Sequence, residues 1–160
     1  MNTLAVHLLN SGLTSSDLLF VPELIAELEV ASTVSPYQQW FYAAPGTAGQ
    51  DSSPEIDLDL DGLTNLLEFA FGGSPAIAQT TALTPSITDT QFHFRRRVDH
   101  TSAGLTYTIE KSNSLRPGSW TPQNGLPIVS ASEDPDIEIV SMPLPVTSER
   151  IFYRLRVELE

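Results

Sequence analysis

The sequence predicts a chain that is mainly β with a small α part: an antiparallel β-sandwich preceded by a two-helix unit around an acidic loop. Three observations lead there. The apolar period changes from helical to two near residue 84, and turn residues then punctuate short alternating runs. The charge breaks at nearly the same place. Residues 1–94 carry eleven acids and no lysine or arginine, whereas residues 95–160 carry all eight bases and nine acids. Such a break implies modules with different surfaces.

Taken in order, residues 1–34 form a short N-terminal segment. Pro22 followed by Leu24, Ile25, Leu28 and Ala31, with Glu23, Glu27 and Glu29 interleaved, fits a short amphipathic helix, and residues 17–21 fit a strand. Residues 35–75 read as helix, loop and exit helix. Ser35-Pro36-Tyr37-Gln38 is a helix start in which serine caps, proline takes the first turn and glutamine completes a capping box. Trp40, Phe41 and Tyr42 follow, and Pro45-Gly46 ends the element near Ala44. After the loop, Leu63, Leu66, Leu67, Ala70 and Phe71 recur at helical spacing until Gly72-Gly73-Ser74-Pro75 stops them. Trp40 or Phe41 is expected to pack on Leu66, Leu67 and Phe71.

Residues 76–84 read as a linker, with separate cores on either side that meet near residues 75–85. Residues 85–158 supply the sandwich. Phe92, Phe94 and Arg96 share one face of a strand and His93, Arg95 and Arg97 the other. Leu105, Tyr107 and Ile109 alternate with Thr106, Thr108 and Glu110; Ile137 and Ile139 alternate with Asp136, Glu138 and Val140. Ile151, Tyr153, Leu155 and Val157 alternate with Phe152, Arg154, Arg156 and Glu158. Ala103-Gly104, Arg116-Pro117-Gly118, Asn124-Gly125 and Asp134-Pro135 mark the turns between such runs.

The most specific pattern lies between the two helices. Asp57-Leu58-Asp59-Leu60-Asp61-Gly62-Leu63-Thr64-Asn65-Leu66-Leu67-Glu68 places oxygen-bearing side chains at positions 1, 3, 5, 9 and 12 and glycine at position 6. A solvated acidic loop requires neither that glycine nor the closing glutamate. The run resembles the EF-hand calcium loop. The resemblance implies one Ca²⁺ bound by Asp57, Asp59, Asp61, the Leu63 carbonyl, Asn65 (directly or through water) and a bidentate Glu68. Position 8 is Thr64 where a paired hand usually has a branched apolar residue, and the Gly- and Pro-containing stretch 46–54 cannot be an entering helix. No second loop of this pattern exists in the chain. One loop followed by one helix is similar to the calcium units of dockerins and thrombospondin type 3 repeats. A sensor, by contrast, pairs two hands to open a groove.

A broader resemblance spans roughly residues 36–157. Residues 65–72 (NLLEFAFG), Phe92-His93-Phe94-Arg95-Arg96-Arg97, residues 105–112, Leu115 and Trp120 are similar to the C-terminal region of large secreted or surface-anchored bacterial proteins. It implies an accessory module at an extracellular or cell-surface location and says little of activity; a secreted module of this kind is expected to be cut from a longer precursor.

Composition narrows the alternatives. No apolar run approaches the roughly 18 residues of a membrane helix, residues 4–9 make a poor signal peptide, and the absence of cysteine excludes disulfides and thiolate metal sites. A net charge of −12 opposes nucleic-acid binding. His7, His93 and His100 are scattered, without triad or metal spacing, and neither a phosphate loop nor a nucleophile elbow is present. Asp51 and Glu55 flank the loop as solvated acids. Arg95-Arg96-Arg97 is split between strand faces, so pairing with Glu110, Asp136 or Glu138 is expected ahead of a glycan-sulfate site. Trp40 and Tyr153 read as core, whereas Trp120 suits either core or a sugar platform. The resulting expectation is a non-catalytic module with structural Ca²⁺. The alternative is a carbohydrate- or protein-binding module with its ligand site on the sandwich.

Overall fold

Ser35 and Gln38 begin the first helix as the spacing predicts. In the computed structural model, which describes residues 34–79, 83–88, 90–145 and 150–160, helix α1 spans Pro36–Ala43. Ser35 Oγ accepts the Gln38 N–H and Gln38 Oε1 accepts the Ser35 N–H, each at 3.2 Å. Two donors orphaned at every helix start are thereby satisfied. At the other end the buried Thr47 hydroxyl shares its proton between the carbonyls of Phe41 and Ala44, 2.8 Å from each. Helix α2 spans Asn65–Phe71 and ends at Gly72 in the left-handed conformation, φ 75°. The helix and strand read in residues 17–31, and His7, lie outside the described residues.

Seven strands follow: β1 (Ser86–Thr88), β2 (Gln91–Arg97), β3 (Leu105–Ser112), β4 (Thr121–Pro122), β5 (Ile128–Ala131), β6 (Ile137–Pro143) and β7 (Phe152–Leu159). They form two antiparallel sheets, ordered β1-β2-β6-β5 and β4-β3-β7. Phe92 and Phe94 lie opposite Met142 and Val140 in one sheet, and Ile109 lies opposite Leu155 in the other. Phe92, Phe94, Ile109, Val140 and Met142 form one buried cluster, with Tyr153 and Leu155 against it. Side chains from two sheets meeting in one apolar layer make the sandwich. The long strands are those with clear alternation; β1, β4 and β5 are short and exposed, and no period announces them. No helix among the described residues is long and apolar enough to cross a membrane.

The expectation of separate cores is not met. Tyr37 of α1, Leu63 of the loop and Phe69, Ala70 and Phe71 of α2 share a cluster with Leu83, Ala103 and Leu105, and Leu155, Val157 and Leu159 pack against it. Residues 32–160 form a single unit. The physical reason is that α2 is apolar nearly all round. Leu66, Leu67, Phe69, Ala70 and Phe71 expose more surface than the eight residues of α1 can cover, so the sandwich covers the rest. Within the helix pair, Phe69 is the aromatic contact, with Tyr37 at 5.4 Å and Trp40 at 5.2 Å between ring centroids. Phe41 is fully buried beside Trp40 and Tyr42.

Strand β6 is buried on both faces, which simple alternation conceals. Val140 and Met142 face the sandwich interior, while Ile137, of opposite parity, is buried next to Gly72. A Cβ on Gly72 would lie 2.4 Å from Ile137 Cδ1, at a φ that side chains rarely adopt. Gly72→Ala is therefore expected to destabilise the fold by about 2 kcal/mol or more, from left-handed strain plus overpacking. Urea unfolding should show it as a lower midpoint with an unchanged slope; an unchanged midpoint would contradict the tight junction.

Candidate metal centre

The acidic loop is shaped by its own carboxylates. Asp57 accepts the Asp61 N–H at 3.2 Å and the Gly62 N–H at 2.9 Å. Asp59 accepts the Asp61 N–H at 3.2 Å, and Asp61 accepts the Leu63 N–H at 2.8 Å. The other Asp61 oxygen accepts the N–H of Gln79 at 2.7 Å, tying the segment after α2 back onto the loop. Such side chain-to-backbone bonds bend a chain tightly around its acids. The bend needs left-handed residues at Leu60, φ 63°, and Gly62, φ 97°. Glycine adopts that φ without strain, whereas Leu60 does so at a cost of about 1 kcal/mol. One oxygen from each of Asp57, Asp59 and Asp61 then lies within 4.8 Å of the other two, and all three residues are half-buried. This cluster can hold a metal ion.

Below it, α2 supplies Asn65 and Glu68, both fully buried. Neither oxygen of Glu68 has a hydrogen-bond partner, and Asn65 Oδ1 and Asp59 Oδ2 are likewise unsatisfied. Burial, reinforced by the charges of Asp59, Asp61 and Asp57, pushes the Glu68 carboxyl up to about 8. The Asp59 carboxyl is also raised, first by burial and then by Asp61. A buried carboxylate without a partner costs several kcal/mol, so these orphaned oxygens are unstable as they stand. An all-oxygen, strongly anionic donor set fits a hard divalent cation rather than a soft one.

The sequence-derived ligand positions thus separate into four groups. Asp57, Asp59 and Asp61 converge; Glu68 is outside their 4.8 Å group but close enough to feel all three charges. Asn65 turns its amide N–H toward the chain before the loop, 3.0 Å from the Ser53 carbonyl and 3.5 Å from that of Asp51, leaving Oδ1 unpartnered. Leu63 buries its side chain in the core and so fixes the middle of the loop. No entering helix is present. In its place the extended stretch before the loop is bonded by Asn65 N–H to Ile56 O at 2.7 Å, Leu66 N–H to Pro54 O at 3.0 Å and the Tyr37 hydroxyl to Ser52 O at 2.8 Å. Exposed Asp51 spends its carboxylate on Ser53, whose hydroxyl and N–H hold that carboxyl below its ordinary range.

The other candidates are engaged elsewhere. Arg95 donates to the Phe71 carbonyl at 2.9 Å, Arg96 pairs with Glu138 directly across β2 and β6, and Arg97 pairs with Asp99 while lying 4.6 Å over the Phe69 ring. The arginine triplet therefore makes no single patch. Glu110 pairs with Arg154 at 2.7 Å, and the Arg154 guanidinium covers one face of Trp120 at 4.3 Å. Trp40 packs against the helix core, His93 bonds Ser141 at 2.9 Å, and His100 meets Tyr107 edge-on. The helix-end contacts of Arg95, and of Tyr107 described below, were not readable from strand parity, which shows where a side chain points but not what covers that face.

No protein-family model matches the chain, and no curated protein or solved structure shows significant similarity to it. What the centre does must follow from its own chemistry. In metal-free protein the folded state holds the Glu68 proton up to about pH 8, whereas the unfolded chain releases it near 4.5. The folded state therefore binds more protons between those values, and its stability falls as pH rises through that window. The melting temperature in chelator should be higher at pH 5.5 than at pH 8.5. Glu68→Gln should flatten that slope and stabilise the metal-free protein at pH 8.5; a slope equal to wild type would assign it to other groups.

Proposed function

We propose that this chain is a non-catalytic calcium-binding accessory module of an extracellular bacterial protein, in which one Ca²⁺ plays a structural role. The observation that carries the proposal is the fully buried, unpartnered Glu68 carboxylate beneath three converging aspartates. Asp57, Asp59 and Asp61 would bind through single oxygens and Glu68 through both. The Leu63 carbonyl and Asn65 Oδ1, or its water, would complete the shell. Bound Ca²⁺ would offset half of the charge of Asp57, Asp59, Asp61 and Glu68, and the residues do the rest by fixing the loop to α2 and to the core.

Chemistry favours Ca²⁺ over Mg²⁺. A flexible shell closed by a bidentate carboxylate suits seven ligands, whereas Mg²⁺ demands a tight octahedron and gives up water reluctantly. A single loop with no partner loop and no entering helix belongs toward the weak end of the range, roughly 10⁻⁵ to 10⁻³ M. Such a site fills at the millimolar calcium of extracellular fluid, which supports a surface or secreted location. A sugar platform on the sandwich gains no support from Trp120, one face of which Arg154 already occupies.

With a Kd near 10 μM, millimolar calcium should add about 2.7 kcal/mol of stability by mass action. Wild type should melt clearly higher in calcium than in chelator, and Glu68→Ala should lose most of that difference. Calorimetry should show one calcium bound per chain. Identical wild-type melts in both conditions, with no calcium heat, would sink the proposal.

A further inference from the structure

We infer that Arg95 and Tyr107, which belong to β2 and β3 rather than to the loop, are positioning residues for the cation site and act on it through α2. The inference rests on the loop at residues 57–68 holding a cation, and it concerns what sets the affinity there. Three consecutive residues after Glu68 are each gripped by a sandwich side chain. The Arg97 guanidinium lies over the Phe69 ring at 4.6 Å, the Tyr107 hydroxyl donates to the Ala70 carbonyl at 2.6 Å, and Arg95 Nε donates to the Phe71 carbonyl at 2.9 Å. Gly72 then turns the chain against Ile137.

The physical need for these grips is the length of the helix. Seven residues make few internal hydrogen bonds, and a helix that short does not hold its shape alone. Its last carbonyls would otherwise be orphans. The Gly73 N–H caps the Glu68 carbonyl itself at 2.7 Å, while Tyr107 and Arg95 supply donors to the carbonyls of Ala70 and Phe71. Tyr107 is a rigid donor, stacked on Phe94 at 5.9 Å and met edge-on by His100. Glu68 lies two residues before one gripped carbonyl and three before the other, within a single helical turn. The position of its carboxylate relative to the aspartates is thus set from the sandwich. Linkage is reciprocal: whatever the grips add to cation affinity, the cation returns to the junction between α2 and the strands.

The test is calcium calorimetry on the full chain, in wild type, Tyr107→Phe, Arg95→Met and Met142→Ala. Tyr107→Phe keeps the ring and removes one hydrogen bond, so its Kd should weaken about 2- to 10-fold. Arg95→Met, which loses a charge-assisted bond, should weaken binding at least as much and serves if Tyr107→Phe folds poorly. Met142→Ala hollows the sandwich cluster at the Phe92 end, two residues along each strand from the Phe94 that stacks on Tyr107, and no α2 residue joins that cluster. It should lower the melting temperature more than either yet leave Kd within about twofold. Wild-type Kd values in both Tyr107→Phe and Arg95→Met would overturn the inference while leaving the calcium proposal intact. So would a Met142→Ala loss of affinity that follows its loss of stability, since affinity would then only track the fold. A wild-type chain that draws no calcium heat would overturn both, and the missing wild-type signal identifies that case.

Discussion

Four carboxylates brought together around a bend, one of them sealed from water, are the constraint around which the rest of the chain is arranged. Two unit charges 4 Å apart in a partly screened environment repel by about 4 kcal/mol, and Glu68, fully buried and so unable to hydrate a charge, meets its share by keeping a proton up to about pH 8. Local hydrogen bonds relieve part of the aspartates' burden through the N–H groups of Asp61, Gly62, Leu63 and Gln79. They do nothing for Glu68. A divalent cation resolves the conflict directly, and the chemistry of the remaining orphaned oxygens makes a hard one the natural fit.

Helix α2 carries that constraint into the fold. It presents Glu68 and Asn65 to the loop, Phe69 to α1, and its last carbonyls to β2 and β3. One seven-residue element thus belongs to the candidate metal centre, the helix pair and the sandwich at once. This explains why the charge break near residue 94 is a poor guide to cores. Charge pattern reports the surfaces that two stretches present to water, whereas the apolar surplus of α2 decides that they share an interior.

Much of this was legible in the sequence, and the rest was not for physical reasons. Ser35-Pro36 and Gln38, the Gly72 stop and the alternation in β2, β3, β6 and β7 are local signals, and each appears where its spacing put it. The pairing of Arg96 with Glu138 follows from parity plus register. The three aspartates converge because their spacing is itself the bend. Long-range burial escaped that kind of reading. Ile137 and Val140 lie on opposite faces of one strand and are both buried, because a helix end covers one face and the second sheet the other. Phe69 matters more than Phe41 to the helix pair because of where α1 lands, which no period encodes.

The sheet orders leave β1, β5, β4 and β7 at borders among the described residues, and of these β7 and β5 differ in kind. A bordering strand exposes unpaired amides and carbonyls, an invitation to pairing with another chain. On eight-residue β7 the outward positions are Arg154, Arg156 and Glu158, so an incoming strand would have to strip water from a row of charges. On β5 all four residues are exposed, Ile128 and Val129 among them, with no charge to deter contact, and its four-residue length limits what could be templated there. Of these two borders, the short one is thus the more open to a second chain. Lengthening β5, more than neutralising any arginine, is the change that would turn this module toward self-association.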